Sequence, residues 1–136
     1  MARILAVDFG EKRIGLATSD ASESLATPRV TLSRRSDPAT LADLARFCDR
    51  EEIELAVFGI PRSPGGVESP LAARIRSFAR KFEVATKLPV RFHEETLTSN
   101  EASRRLPRRA SREDLDRTAA AVLLEDYLET SGARRR

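Results

Sequence analysis

Apolar positions along this chain switch between a period of about two and a period of about 3.6, and the switches set the order of elements. Ile4–Val7 is a short, nearly all-apolar run of the buried-strand type. Arg13–Thr18 alternates as the returning strand of a hairpin. Leu25–Leu32 supplies a third strand, in which Pro28 demands an edge position or a bulge because it has no N–H for the ladder. Leu41, Leu44, Ala45 and Cys48 recur at helical spacing after Ser36-Asp37-Pro38. This predicts a helix to about Arg50 with Asp37 as its cap and Pro38 at the first helical position. Leu55–Ile60 is another buried strand, leading into the Gly- and Pro-rich loop Pro61–Gly66. Ser69-Pro70 opens a second helix whose stripe is Leu71, Ile75, Phe78, Ala79 and Phe82, with Arg74, Arg76, Arg80 and Lys81 on its other face. Val90–Glu95 is a strand ending in two acids. Thr98 and Glu101 match a capping box for a short helix that Pro107 ends. The last helix is expected from about Arg112 to Thr130, with Asp116 in line with Ala120, Leu123 and Tyr127.

Strand, strand, strand, helix, strand, helix, strand, helix predicts an α/β fold. Its centre is a five-stranded mixed sheet, three strands antiparallel and two added in parallel, flanked by helices. No repeat or linker divides the chain, so one domain is expected over residues 1–130, followed by a disordered basic tail over 131–136.

Composition narrows the class. In 136 residues, 40% hydrophobic and 33% charged content excludes a disordered chain. The net charge of +3 permits a nucleic-acid partner without establishing one. Distribution says more: Arg104 to Arg112 is the most basic stretch, and Arg104, Arg105, Arg108 and Arg109 are candidates for contacting phosphates from a mobile loop. The single cysteine, Cys48, suits a reducing compartment and reads as a small core side chain. No run approaches the roughly 20 apolar residues of a membrane span, and no secretory segment is present, so a cytoplasmic protein is expected.

Chemistry enters with the acids. Asp8 closes an apolar run, where desolvation penalises an unpaired carboxylate. Ligands of such sheets gather beyond the carboxyl ends of the parallel strands, where Asp8 and Glu95 lie. The start of the last helix would bring Asp116 against them. Three converging acids repel unless cations neutralise them, and oxygen donors at an open site point to Mg2+ or Mn2+. Two such ions roughly 4 Å apart would activate a water and stabilise a leaving oxygen. Lys12 and Arg13, close after Asp8, are candidates for holding a phosphate. His93, the only histidine, reads as a structural or solvated residue.

Asp8-Phe9-Gly10-Glu11-Lys12-Arg13-Ile14-Gly15-Leu16-Ala17 resembles the opening signature of the YqgF (RuvX) family, which has a ribonuclease H-like fold. Gly59-Ile60-Pro61 with Gly66, Glu94–Ala102 and Asp116-Arg117-Thr118-Ala119-Ala120 resemble its later motifs in order, over nearly the whole chain. The resemblance implies Asp8, Glu95 and Asp116 as catalytic, metal-binding acids. It also implies a metal-dependent nuclease that trims the 5′ end of precursor 16S ribosomal RNA during ribosome maturation, on ribosomal assembly intermediates. Where the family has Asp-Glu-Arg, this chain has Glu94-Glu95-Thr96. An arginine expected near the site is therefore missing, and Glu94 stands as an alternative ligand to Glu95. Two other functions remain open at this point: a Holliday junction resolvase on branched DNA, which calls for a homodimer rather than a monomer, and a non-catalytic RNA-binding assembly factor.

Overall fold

The chain folds around a five-stranded sheet of order β3-β2-β1-β4-β5 in a computed structural model that describes residues 3–20, 25–95 and 98–135. The strands are β1 (Ile4–Phe9), β2 (Arg13–Ser19), β3 (Ala26–Ser33), β4 (Leu55–Pro61) and β5 (Val90–Glu95). β1, β2 and β3 pair antiparallel, whereas β4 joins β1 and β5 joins β4 in parallel, as the element order predicts. Pro28 lies in edge strand β3 beside a register shift: Leu16 faces Val30, but Ala17 faces Pro28. Both devices that accommodate a strand proline are thus in use.

Helix α1 (Asp37–Arg50) leads into β4, and α2 (Pro70–Thr86) joins β4 to β5. They bury Leu44, Phe47, Cys48, Ile75, Phe78, Ala79 and Phe82 against Leu5, Val7, Phe9 and Phe58 of the sheet. Burial pushes the Cys48 thiol up to about 12, so it is an inert core group. The opposite face is covered by α4 (Arg112–Arg135), whose Ala120, Ala121, Leu123 and Leu124 pack on Ile4, Ala6, Ala17 and Val57. Short α3 (Thr98–Arg105) packs on α4.

Three expectations need correction. The cap of α1 is Ser36, whose hydroxyl accepts from the Ala39 amide at 3.3 Å, while Asp37 is helical. Asp37 is used elsewhere, in ion pairs with α2. The last helix continues to Arg135, beyond Thr130, because Ala133, Arg134 and Arg135 propagate a helix well and basic residues suit its C-terminal end. The basic stretch is not a loop from Arg104 onward: Arg104 and Arg105 belong to α3. The proposed Thr98 cap falls on a side chain outside the described ones.

Asp37 ties the two helices of one layer. Its carboxylate accepts from Arg74 Nη2 at 2.8 Å and Nη1 at 3.0 Å, and from Lys81 Nζ at 3.0 Å. The Arg74 hydrogen bond, then that of Lys81, holds the Asp37 carboxyl far below its ordinary 3.8. The unfolded chain therefore takes up a proton near pH 4 that the folded one refuses, so this contribution is complete above that pH and fades as pH falls further. Since both cations are well exposed, Asp37→Asn should cost about 1 kcal/mol in urea denaturation at pH 7. The gap to the wild type should narrow as pH drops below about 4.

Candidate active site

Gly15 decides what can approach the middle of the sheet. It lies opposite Asp8 in the β1–β2 register. A Cβ at Gly15 would run into the backbone carbonyl of Asp116 and the amide of Arg117. The absent side chain lets α4 come down on β2 at Asp116, beside the strand position that carries Asp8. The hairpin before it is equally tight: Gly10 donates its amide to the Arg13 carbonyl at 2.9 Å, and a Cβ there would stand 2.7 Å from that same oxygen.

The N-terminal end of α4 is secured on both sides. Ser111 Oγ accepts from the Asp114 amide and Asp114 Oδ2 accepts from the Ser111 amide, each at 3.1 Å, a reciprocal cap. Thr31 on β3 donates to the Glu113 carbonyl at 2.6 Å. The hairpin tip is braced by Arg34, whose Nη1 reaches the carbonyls of Gly10 and Glu11 at 3.0 Å each while its guanidinium lies over the Phe9 ring at 4.4 Å. Neither Ser111 nor Arg34 was picked out from the sequence. The Ser-x-x-Asp spacing signals the first, and nothing local signals the second.

These supports shape a cleft of about 440 Å3 lined by Asp8, Arg13, Ser103, Arg112, Leu115 and Asp116. Arg13 donates through Nε to Asp116 Oδ2 at 2.7 Å. Two of the expected acids and one expected cation thus meet in one place. The side chain of Glu95 and residues 96 and 97, including Thr96, lie outside the described ones. The backbone of Glu95 pairs with Pro61, at the carboxyl end of the sheet.

Strand alternation sets Glu94 apart from Asp8. Phe92 packs beside Phe58, on the side of α1 and α2, and Glu94 shares that side, opposite to Asp8. His93 faces α4, where its Nε2 meets Asp126 Oδ2 at 2.5 Å and its ring stands edge-on to Tyr127. It is a structural residue, as expected.

The basic residues divide into two groups. Arg105 is clamped by both oxygens of Glu125, at 2.9 and 2.6 Å, and by Glu101 at 3.3 Å, so it fastens α3 to α4 rather than presenting a free charge. Arg104 lies 3.6 Å from Glu101. By contrast Lys12, Arg62, Arg108, Arg109 and Arg112 make no ion pair among the described residues. Lys12 sits on the hairpin tip, Arg62 in the loop after β4, and the others lead into the start of α4. Arg62 is not singled out by the sequence because it stands apart from other basic residues, whereas Arg112 closes the basic stretch and opens α4.

Comparison with known proteins bears on this arrangement. A model of the family described as "RuvX: Holliday junction resolvase" matches residues 2–130. A protein of Moorella thermoacetica named "Putative pre-16S rRNA nuclease" is 38% identical over 135 residues, covering 96% of each chain. One of Anaplasma marginale with the same name is 36% identical over 137 residues, 97% of this chain and 87% of its own. Among solved structures, T. thermophilus RuvC in complex with a Holliday junction matches with a TM-score of 0.63 at 10% identity, covering 98% of this chain and 97% of that one. The fowlpox virus resolvase bound to its junction matches at 0.58 and 14% identity, over 95% and 98%. At such identities the structural likeness is one of fold. Fold and family together define an enzyme of the ribonuclease H-like nuclease class. Within that class the chain belongs to the RuvX family, the one its opening motif resembles.

Overpacking at a backbone-to-backbone contact has no flexible side chain to absorb it. Gly15→Ala should therefore lower stability by about 1–3 kcal/mol in chemical denaturation. Asp116 would also be pushed away from Asp8, so cleavage activity should fall further than a stability loss of that size explains.

Proposed function

We propose that the protein is a metal-dependent endonuclease that processes the 5′ end of precursor 16S ribosomal RNA in the cytoplasm. The observation that carries the reading is the meeting of Asp8 and Asp116 in one cleft, enforced by the backbone contact at Gly15. The choice of RNA is supported by relatives at 36–38% identity over nearly the full chain, which bear that name.

The donor set fits Mg2+ or Mn2+: carboxylate oxygens at a cleft open to solvent, with no sulfur or imidazole among its described lining residues. Asp8 and Asp116 would hold the ions together with Glu95, the third acid that the family resemblance implies. Bound divalent ions supply an activated water and stabilisation of the leaving oxygen. The chain's own residues position the substrate. Lys12 on the braced hairpin and Arg112 at the cleft rim attract backbone phosphates, while Arg62, Arg108 and Arg109 extend that field on either side.

A second reading is a nuclease of four-way DNA junctions. The description of the family model and the likeness to RuvC on its junction favour it. Labelled precursor ribosomal RNA and a four-way junction, each incubated in Mn2+ with wild type and Asp8→Asn, separate the two. Cleavage of the RNA alone, abolished in a folded Asp8→Asn, is the expected result. Activity retained in that variant removes Asp8 from the site, and cutting of the junction alone replaces RNA by DNA as substrate.

The division of the cations makes a separate expectation for binding. A plot of log affinity for RNA against log salt should lose about one unit of slope in Arg112→Ala. In Arg105→Ala the slope should stay as in wild type while stability falls, because that arginine is already neutralised by Glu125.

A further inference from the structure

Arg13 and Asp116 form a contact in the cleft that opposes the chemistry just proposed. The guanidinium Nε lies 2.7 Å from Asp116 Oδ2, and the two side chains are only 25% and 28% exposed. Water and salt therefore screen this pair less than a surface pair. A divalent cation approaching Asp116 meets a carboxylate with one oxygen already committed and a positive charge held beside it. The same guanidinium offers further N–H donors in a fork that matches a phosphate better than it matches one carboxylate oxygen.

We propose that Arg13 is the resident counter-ion of Asp116 in the metal-free enzyme, and that it holds divalent-ion affinity down until a substrate phosphate draws the guanidinium away. Metal and nucleic acid then load together, each removing the obstacle to the other. This inference rests on the metal reading above, and it assigns Arg13 a positioning role that the sequence does not show.

Mn2+ binding to the metal-free full chain, followed by electron paramagnetic resonance of the free ion, tests it without turnover. Arg13→Gln should bind Mn2+ about three- to tenfold more tightly than wild type, the range expected when a partly screened ion pair is removed. Arg13→Met, which keeps the apolar stem, should do the same if the glutamine variant fails to fold. Arg13→Lys retains the charge and should stay within about twofold of wild type. Lys12→Gln, which removes a nearby charge that pairs with no acid among the described residues, should also change little. At saturating Mn2+, Arg13→Gln should raise KM for labelled RNA. Tighter metal with weaker substrate is a pair of opposite changes that general loss of structure does not produce. Equal or weaker Mn2+ binding in both neutral variants overturns the proposal, as does a gain in Lys12→Gln as large as that in Arg13→Gln. Wild type that binds no Mn2+ at millimolar concentration overturns the metal reading itself, and this inference with it.

Discussion

A helix backbone resting directly on a strand backbone is the constraint from which the site follows. Gly15 has no side chain to hold α4 off the sheet, so the Asp116 peptide fills the space where a Cβ would stand. Asp8 is the register partner of Gly15. One missing methyl group thus converts two acids separated by more than a hundred residues into neighbours. The supports around it act on the same geometry. The Ser111–Asp114 cap and the Thr31–Glu113 bond fix where α4 begins, and the Gly10–Arg13 turn with Arg34 fixes where β2 begins.

The two faces of the sheet are built from different materials, and the difference has a functional sense. Toward α1 and α2 the filling is aromatic: Phe9, Phe58, Phe78 and Phe82 stack with ring centroids 4.9 to 6.4 Å apart. Large rings there provide most of the apolar area and keep the helices at a full side-chain distance. Toward α4 the contact pairs Ala120 and Ala121 with Ala6 and Ala17. Small groups allow close approach, which a site made of short Asp side chains requires. Bulk stabilises one side, and closeness positions acids on the other.

Much of this is readable in the residue pattern. An acid closing an apolar run marks Asp8, and Asp116 declares itself by standing in line with Ala120 and Leu123, both buried. Pro28 announces an edge or a bulge, and both are present. The side taken by Glu94, which the sequence leaves open, follows once Phe92 is seen against Phe58 in the aromatic core. What escaped is tertiary. Arg105 looks like a free cation because its partner Glu125 lies twenty residues away on another helix. The pairing of Arg13 with Asp116 is hidden because the two stand 103 residues apart. Gly15 resembles any strand glycine, for a space left empty has no signature until the group that fills it is seen. Ser36 and Asp37 are both competent caps, and the pull of Arg74 and Lys81 decides between them.

Those ion pairs also shape how a net charge of only +3 is distributed over the surface. Arginines away from the cleft are largely spent on acids: Arg29 on Glu51, Arg35 and Arg46 on Asp43, Arg74 on Asp37, Arg76 on Glu68. Each such pair contributes little to stability in water, but each cancels a charge that would otherwise spread the field over the whole surface. Among the described residues, Lys12, Arg62, Arg108, Arg109 and Arg112 stand without an ion pair where β1 and β4 end and α4 begins, while Arg80, Lys87 and Arg91 do so on α2 and β5. Long-range attraction of a polyanion depends on that residual field rather than on the total. Pairing elsewhere is therefore part of how the cleft is addressed, and Arg13 is a cleft cation that an acid of the same cleft already holds.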